Sequence, residues 1–134
     1  GPEMHDLVDL SKFLNINEKI TFTGYSNDVE LILRNSQIFI SMSMIEGMPN
    51  VALEAASSKC ALILSDISQH KDIFINNSAI FCQVGDYHLL SKKIKYLFEN
   101  HEQLNTFSQK AFQLSKLYSE DKILPKYIEF YKTI

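Results

Sequence analysis

"QIFISMSMIEGMPNVALEAASSKCALILS", Gln37–Ser65, is the stretch on which the architecture turns. Its first residues, Gln37–Ser43, form a nearly continuous apolar run, as expected of a strand covered on both faces. Residues 50–58 are helical in composition, and "ALILS", Ala61–Ser65, returns to a short apolar run bounded by polar residues. Two strands joined by a single helix imply a right-handed βαβ crossover and a parallel sheet.

The same alternation extends in both directions. Upstream, residues 5–14 carry Leu7, Leu10 and Leu14 at helical spacing, and "KITFTG", Lys19–Gly24, reads as a short strand ending at a glycine. "NDVELILRNS", Asn27–Ser36, has an Asn/Asp start and apolar positions Val29, Ile32 and Leu33, the pattern of a helix. Downstream, "HKDIFI" reads as a short helix, and "AIFCQV", Ala79–Val84, as a strand closed by Gly85-Asp86. Helical patterns over about 86–100, 102–118 and 120–133 complete the chain, with Pro125 inside or near the start of the last. The expectation is an α/β fold with a parallel sheet of about four strands and a helical C-terminal tail. Ligands in such sheets bind at the carboxyl ends of the strands. The loops there are Gly24-Tyr25-Ser26 and the one after Ser43. A sheet of about four strands is thin for this class and points to a piece of something larger.

Composition narrows the function. A chain of 134 residues suits one domain, and a net charge of −3 with pI near 5.8 argues against a dedicated nucleic-acid binder. Arg34 is the only arginine, so phosphate chemistry must lean on backbone amides, lysines or residues outside this chain. Cys60 and Cys82 lack C-x-x-C or metal spacing and read as buried thiols in a reducing compartment. His5, His70, His88 and His101 form no ligand set. No apolar run approaches membrane-spanning length and no signal peptide is visible, which reads as a soluble cytoplasmic domain.

The loop after Ser43 holds the chemistry. Glu46 and Glu54 are separated by seven residues, with Gly47, Met48 and Pro49 directly after the first. Gly47 permits backbone conformations and close ligand approach that a Cβ would block. Pro49 suits a first helical turn, where its missing N–H is not needed. The free amides of Asn50, Val51 and Ala52, with the positive end of the helix dipole, would make an anion site. Glu54, about one turn into the helix, could accept hydrogen bonds from a ribose diol, with Glu46 on the far side of the same site. Spacing alone leaves another reading open: a first-turn acid favoured by the dipole, and a solvated loop acid.

The register of this loop resembles a known family. Ser43, Glu46, Gly47, Pro49, Asn50, Glu54 and Ala55 match S-x-x-E-G-x-P-N-x-x-x-E-A, the E-x7-E motif of the retaining, family-4-like GT-B glycosyltransferases (glycosyl transferases group 1). "ITFTGYSNDVELILRNSQIFISMS", "ALILSDISQHKDIF" and "CQVGDYHLLSKKIKYLF" are similar to the segments flanking that motif in the C-terminal, donor-binding domain. "GPEMHDL" resembles that domain's G-x-G-P-x-x-x-x-L, which would make Gly1-Pro2 native sequence.

The resemblance covers essentially the whole chain. It implies a Rossmann-like, three-layer α/β/α fold: residues 1–134 as a single, truncated nucleotide-sugar-binding domain. It also implies transfer of a sugar from a nucleotide-diphosphate donor with retention, without an obligatory metal or other cofactor. Glu46 would contact donor-sugar hydroxyls as the catalytic-site carboxylate and Glu54 would hold the ribose. The backbone of Gly47, Met48, Pro49, Asn50 and Val51 would approach the diphosphate and sugar, and Gly24 and Tyr25 would lie near the nucleobase. Bacterial surface-polysaccharide synthesis is the expected setting. The parent would be cytoplasmic, with peripheral membrane association at most.

The sequence also departs from the family pattern. Lys59 and Ala61 stand where the family usually has a helix-ending glycine and a strand-opening proline. The first strand–helix unit, with its diphosphate-clamping basic residues, and the acceptor-binding domain would precede Gly1. The chain alone is therefore expected to be inactive. A non-catalytic nucleotide-binding or interaction module of the same fold is the alternative. A receiver or scaffold domain would need an acidic strand-end cluster, and Asp66 is alone after its strand. Tyr96, Phe98, Phe107, Phe112, Tyr118, Tyr127, Phe130 and Tyr131 read mainly as cover for the sheet, with some of Tyr127–Ile134 left as exposed apolar surface. Lys92, Lys93 and Lys95 read as a solvated helix face. His70 and Lys71 fall in the loop after a strand, on the ligand side of the sheet, where either could reach a donor or hold a plain loop position.

Overall fold

In the computed structural model, which describes residues 2–133, β2 (Ala61–Ser65) is the middle of a parallel sheet of order β1-β2-β3. β1 spans Ile38–Ser41 and β3 spans Ile80–Cys82. Ile38 pairs with Ala61 and Ser41 with Leu64; on the other side Ile63 pairs with Ile80 and Ser65 with Cys82. All of β2 is buried, because alternate side chains enter two different cores. Leu62 and Leu64 join a cluster with Leu33, Ala52, Ala55, Ala56, Phe74, Ala111 and Leu114, and Ala61 and Ile63 join one with Ile80, Cys82, Leu97 and Leu104. Burial of each of Leu62, Ile63 and Leu64 contributes about 1.5–3 kcal/mol. The helices packed on the two faces make the expected three layers.

The helices in chain order are α1 (Met4–Phe13), α2 (Val29–Arg34), α3 (Asn50–Ser57), α4 (Ser68–Ile73), α5 (Tyr87–Glu99), α6 (His101–Ser115) and α7 (Glu120–Lys132), of which α3, α5 and α6 pack directly on the sheet. Their ends have local causes. Asp86 caps α5, its Oδ1 accepting from the Leu89 amide at 2.8 Å. α3 stops in a Schellman turn: Cys60 N–H donates to Ala55 O and Lys59 N–H to Ala56 O, each at 3.0 Å. Lys59 takes the left-handed conformation that this turn requires, φ +64°, although it is not a glycine. The Ser108 hydroxyl on α6 donates to Lys59 O at 2.7 Å, tying the end of α3 to the next layer. α6 supplies Leu104 to one cluster and Ala111 and Leu114 to the other, so it spans both cores. No helix among the described residues is long and apolar enough to cross a membrane.

Several expectations are corrected. The sheet has three strands, not about four. Lys19–Gly24 is not a strand: Ile20 has extended backbone, φ −120° and ψ 130°, but the segment joins no ladder. Alternating Ile20 and Phe22 favour an extended chain, yet a strand exists only through a partner, and both side chains stay 37% exposed. β1 is covered only in part: Phe39 packs on one core and Ile38 on the other, both half-buried. It pairs only with β2, and Ile40 is left exposed.

Tyr96 and Phe98 do not cover the sheet, whereas the exposure of Tyr127, Phe130 and Tyr131 is the apolar surface expected near the end of the chain. Phe107 and Tyr118 pack against the cores and Phe112 is half-buried, while Tyr96, Phe98, Tyr127, Phe130 and Tyr131 are exposed. α7 contains Pro125 and has no buried residue, so its apolar side chains, Leu124 and Ile128 included, face outward. Gly1 of the Gly1-Pro2 pair and Ile134 of the expected apolar surface lie outside the described residues.

Candidate functional site

The loop from β1 to α3 leaves the sheet at Met42 and Ser43. Met44 and Ile45 project into solvent, Glu46 is half-buried, Gly47 and Met48 are exposed, and Pro49 is buried against the body. Pro49 is the N-cap of α3, one position earlier than a first-turn proline, and its carbonyl accepts from the Leu53 amide at 3.1 Å. The Asn50 N–H turns back to Met48 O at 2.8 Å, so it is not among the free donors. The Val51 and Ala52 amides have no backbone acceptor, no side chain caps the helix, and its first turn has no acid. The positive end of α3 therefore keeps two unsatisfied donors, an arrangement suited to an anion.

Gly47 is not required by its backbone. Its φ lies outside the left-handed region, and a Cβ there would meet nothing within 4 Å. Open space over the glycine remains compatible with close approach of a ligand. Gly24, by contrast, has φ +61°, where a side chain would be strained. It lines a cleft with Pro2, Glu3, Leu7 and Phe22. The next residue, Tyr25, is 93% exposed and packs on nothing.

Glu54 is exposed on the fifth position of α3 and borders two grooves. One, about 410 Å³, runs between α2 and the end of α3 and is lined by Glu30, Leu33, Arg34, Ser57, Ser58 and Lys59. The other, about 460 Å³, lies between α3 and the end of α6, with Asn50, Leu53, Phe112, Ser115 and Lys116 on its walls. Neither groove includes Glu46, Gly24 or Tyr25. Glu46 and the α3 amides are adjacent through the chain, whereas Gly24 and Tyr25 are not gathered with them into these clefts. Arg34 is engaged by Glu30, Nη2 to Oε1 at 2.6 Å. Among the described residues no group of three or more His, Cys, Asp or Glu side chains could hold a metal ion.

One constellation at the strand ends was not legible in the sequence. His70, expected in a loop, is fully buried within α4. Its Nδ1 lies 3.0 Å from Ser65 O and 3.1 Å from Ser65 Oγ, and Ser65 Oγ donates to Ser43 O at 2.7 Å. Lys71 points the other way, pairing with Asp66 at 3.7 Å. Only the loop position after β2 hinted at a role for His70; nothing in its neighbours foretold burial. The two thiols are buried as expected. Desolvation pushes both up from the ordinary range; at Cys82, nearby Lys93 opposes this and Asp86 and Asp66 add to it.

The chain is similar to several known proteins. The chain is 28% identical to an uncharacterized glycosyltransferase of Haemophilus influenzae, over all of this chain and 37% of that protein. It is 27% identical to an N,N'-diacetylbacillosaminyl-diphospho-undecaprenol alpha-1,3-N-acetylgalactosaminyltransferase of Campylobacter jejuni, over 92% of this chain and 33% of that protein. The chain thus spans about a third of the length of these curated relatives. A crystal structure of TarM superposes with TM-score 0.81 at 22% identity, covering 94% of this chain and 26% of that one, which shows a shared fold. Residues 1–114 match the model of the glycosyl transferases group 1 family, and with the motif and fold in place the chain belongs to that family.

Proposed function

We propose that this chain is the donor-binding part of a glycosyltransferase that moves a sugar from a nucleotide-diphosphate sugar to an acceptor with retention, in bacterial surface-polysaccharide synthesis. The observation that carries the reading is the uncapped start of α3, with Val51 and Ala52 amides free and a carboxylate on each side of them in sequence. A diphosphate seated there would be held by the two donors and the helix dipole. As the glycosidic bond breaks, the same group would stabilise the charge that develops on the departing diphosphate. Glu46 positions sugar hydroxyls and does not act as a covalent nucleophile. Transfer then proceeds through an oxocarbenium-like state on the face of the leaving group. Glu54 accepts hydrogen bonds from the ribose diol, and Tyr25, free of packing, is available to a nucleobase.

The rest of the site belongs to the longer parent protein: an acceptor-binding domain, and basic residues to complete the diphosphate clamp that one engaged arginine cannot supply. The activity named for the Campylobacter jejuni relative supports a diphospho-undecaprenol-linked acceptor; the parent would meet it at the cytoplasmic face of the membrane. The test is titration of UDP-, GDP- and ADP-sugars into the full-length parent, with Glu54→Ala as control. Loss of charged hydrogen bonds to the ribose should weaken the preferred nucleotide by about ten- to a hundredfold. A Glu54→Ala protein that binds as tightly as wild type sinks the ribose assignment.

A further inference from the structure

His70 holds an anomaly that packing does not explain. Its side chain is fully buried, and Nε2 has no hydrogen-bond partner among the described residues. Buried polar atoms without partners are uncommon, and a leucine or phenylalanine would fill such a space without leaving one. The useful atom must be the other nitrogen. Nδ1 sits 3.0 Å from the Ser65 carbonyl, which can only accept, so Nδ1 carries the proton and Nε2 is the bare lone pair. The Ser65 hydroxyl gives its own proton to Ser43 O at 2.7 Å, which leaves an oxygen lone pair facing Nδ1 at 3.1 Å. Each donor along this path has a single direction: His70 to Ser65, and Ser65 to Ser43.

The end of the path matters because it meets the loop where regular pairing stops, between Met42, which packs on one core, and the buried Pro49, with the Ser41 and Ser43 hydroxyls 3.2 Å apart beside it. The β1–β2 pairing ends at Ser41, Met44 and Ile45 are exposed, and Glu46 follows three residues after Ser43. The Ser65 bond is the side-chain tie from the central strand to the stretch that leads into Glu46 and α3.

We propose that His70 is a positioning residue for sugar transfer. It orients the Ser65 hydroxyl, which fixes the Ser43 carbonyl and so sets where Glu46 and the α3 amides sit. The proposal rests on the reading of this loop as the donor site; His70 itself touches no substrate. In the full-length parent, His70→Phe, which fills the space without an N–H, and Ser65→Ala should each lower kcat by about ten- to a hundredfold, since small misplacements of reacting groups have that effect. Donor KM should rise by a smaller factor than kcat falls, because the proposed ribose and nucleobase contacts of Glu54 and Tyr25 do not pass through Ser43, while the diphosphate contact at the α3 amides does. His70→Asn, which keeps a side-chain N–H near Nδ1, and Ser65→Thr, which keeps the hydroxyl, should restore most of kcat. The double variant His70→Phe/Ser65→Ala should be no worse than the poorer single one, as for two parts of one path.

Wild-type kcat in His70→Phe, or His70→Asn as poor as His70→Phe, overturns the role. If His70→Phe does not fold, Ser65→Ala against Ser65→Thr makes the same decision, equal kcat in the two refuting it. The tautomer is read without turnover from ¹H–¹⁵N correlations of the imidazole, which should show Nδ1 protonated and Nε2 bare. An Nε2-protonated His70 overturns the path alone, whereas a wild type that transfers no sugar overturns the transferase reading and this role with it.

Discussion

Lys59→Gly should make the domain more stable than Lys59→Ala does, and the size of the gap follows from the backbone. At φ +64° an L-residue carries a penalty of about 1–2 kcal/mol. Glycine removes that penalty but frees the unfolded chain, which returns about 0.4–1 kcal/mol. Both variants lose the ammonium that stands 5.2 Å from the Phe112 ring centroid, so the comparison cancels it. The backbone bonds of the turn and the Ser108 bond to the carbonyl survive in both. Glycine should therefore exceed alanine by about 1 kcal/mol, a rise of about 3–5 °C in Tm for a chain of this size.

Against wild type the gain is smaller. The lost cation–π contact is worth about 0.5–1 kcal/mol at most, and Lys116, 4.6 Å from the same ring centroid, remains. Urea and thermal unfolding followed by circular dichroism measure all three proteins. Equal stability of the glycine and alanine variants would show that residue 59 is not strained, and that the Schellman turn is not what ends α3.

Other perturbations test other layers. Glu46→Gln in the full-length parent should lower kcat more than it lowers nucleoside-diphosphate affinity; equal losses of both contradict a sugar-facing role. Asp86→Ala removes the one side-chain acceptor at the start of α5 and should cost about 1 kcal/mol in a urea titration. Phe74→Ala, at a side chain only 1% exposed, should cost about 3–5 kcal/mol, enough to leave the domain largely unfolded in a melt near 37 °C. Both thiols are pushed up by burial, so in alkali the folded chain keeps protons that the unfolded chain releases. Stability should then fall as pH rises past the ordinary thiol range, about 8.5, and Cys60→Ala/Cys82→Ala should flatten that fall in urea midpoints taken from pH 8 to 10.

The sheet and helix order were legible because β2, α3 and α5 advertise themselves locally. Ala61–Ser65 is short and apolar, α3 opens on Pro49-Asn50, and α5 opens on Gly85-Asp86. Lys19–Gly24 misleads for a physical reason: its Ile/Thr/Phe alternation is a local property, while strand identity is set by a ladder that its own residues do not encode. The E-x7-E loop was legible as chemistry types at fixed spacing. Its backbone detail was not, because the turn of Asn50 N–H onto Met48 O and the ordinary φ of Gly47 depend on how Pro49 packs. In the sequence His70 reads only as a residue after β2, on the ligand side of the sheet. Its link to Ser43 passes through Ser65 across two elements, and no periodicity records such a path.

The open edge of β1 has a consequence for handling this chain. From Asn35 to Ile45 there is no charged residue and no proline, and the run contains Ile38, Phe39 and Ile40 in extended form. An unpaired strand edge of that composition is a template for cross-β stacking. Arg34 and Glu46 bracket the run and act as gatekeepers against it. Glu46→Gln would extend the uncharged stretch through to Glu54, so the carboxylate proposed to meet the sugar is also expected to favour solubility. A drop in soluble yield of that variant must be separated from its drop in turnover, by normalising rates to monomer measured by size exclusion.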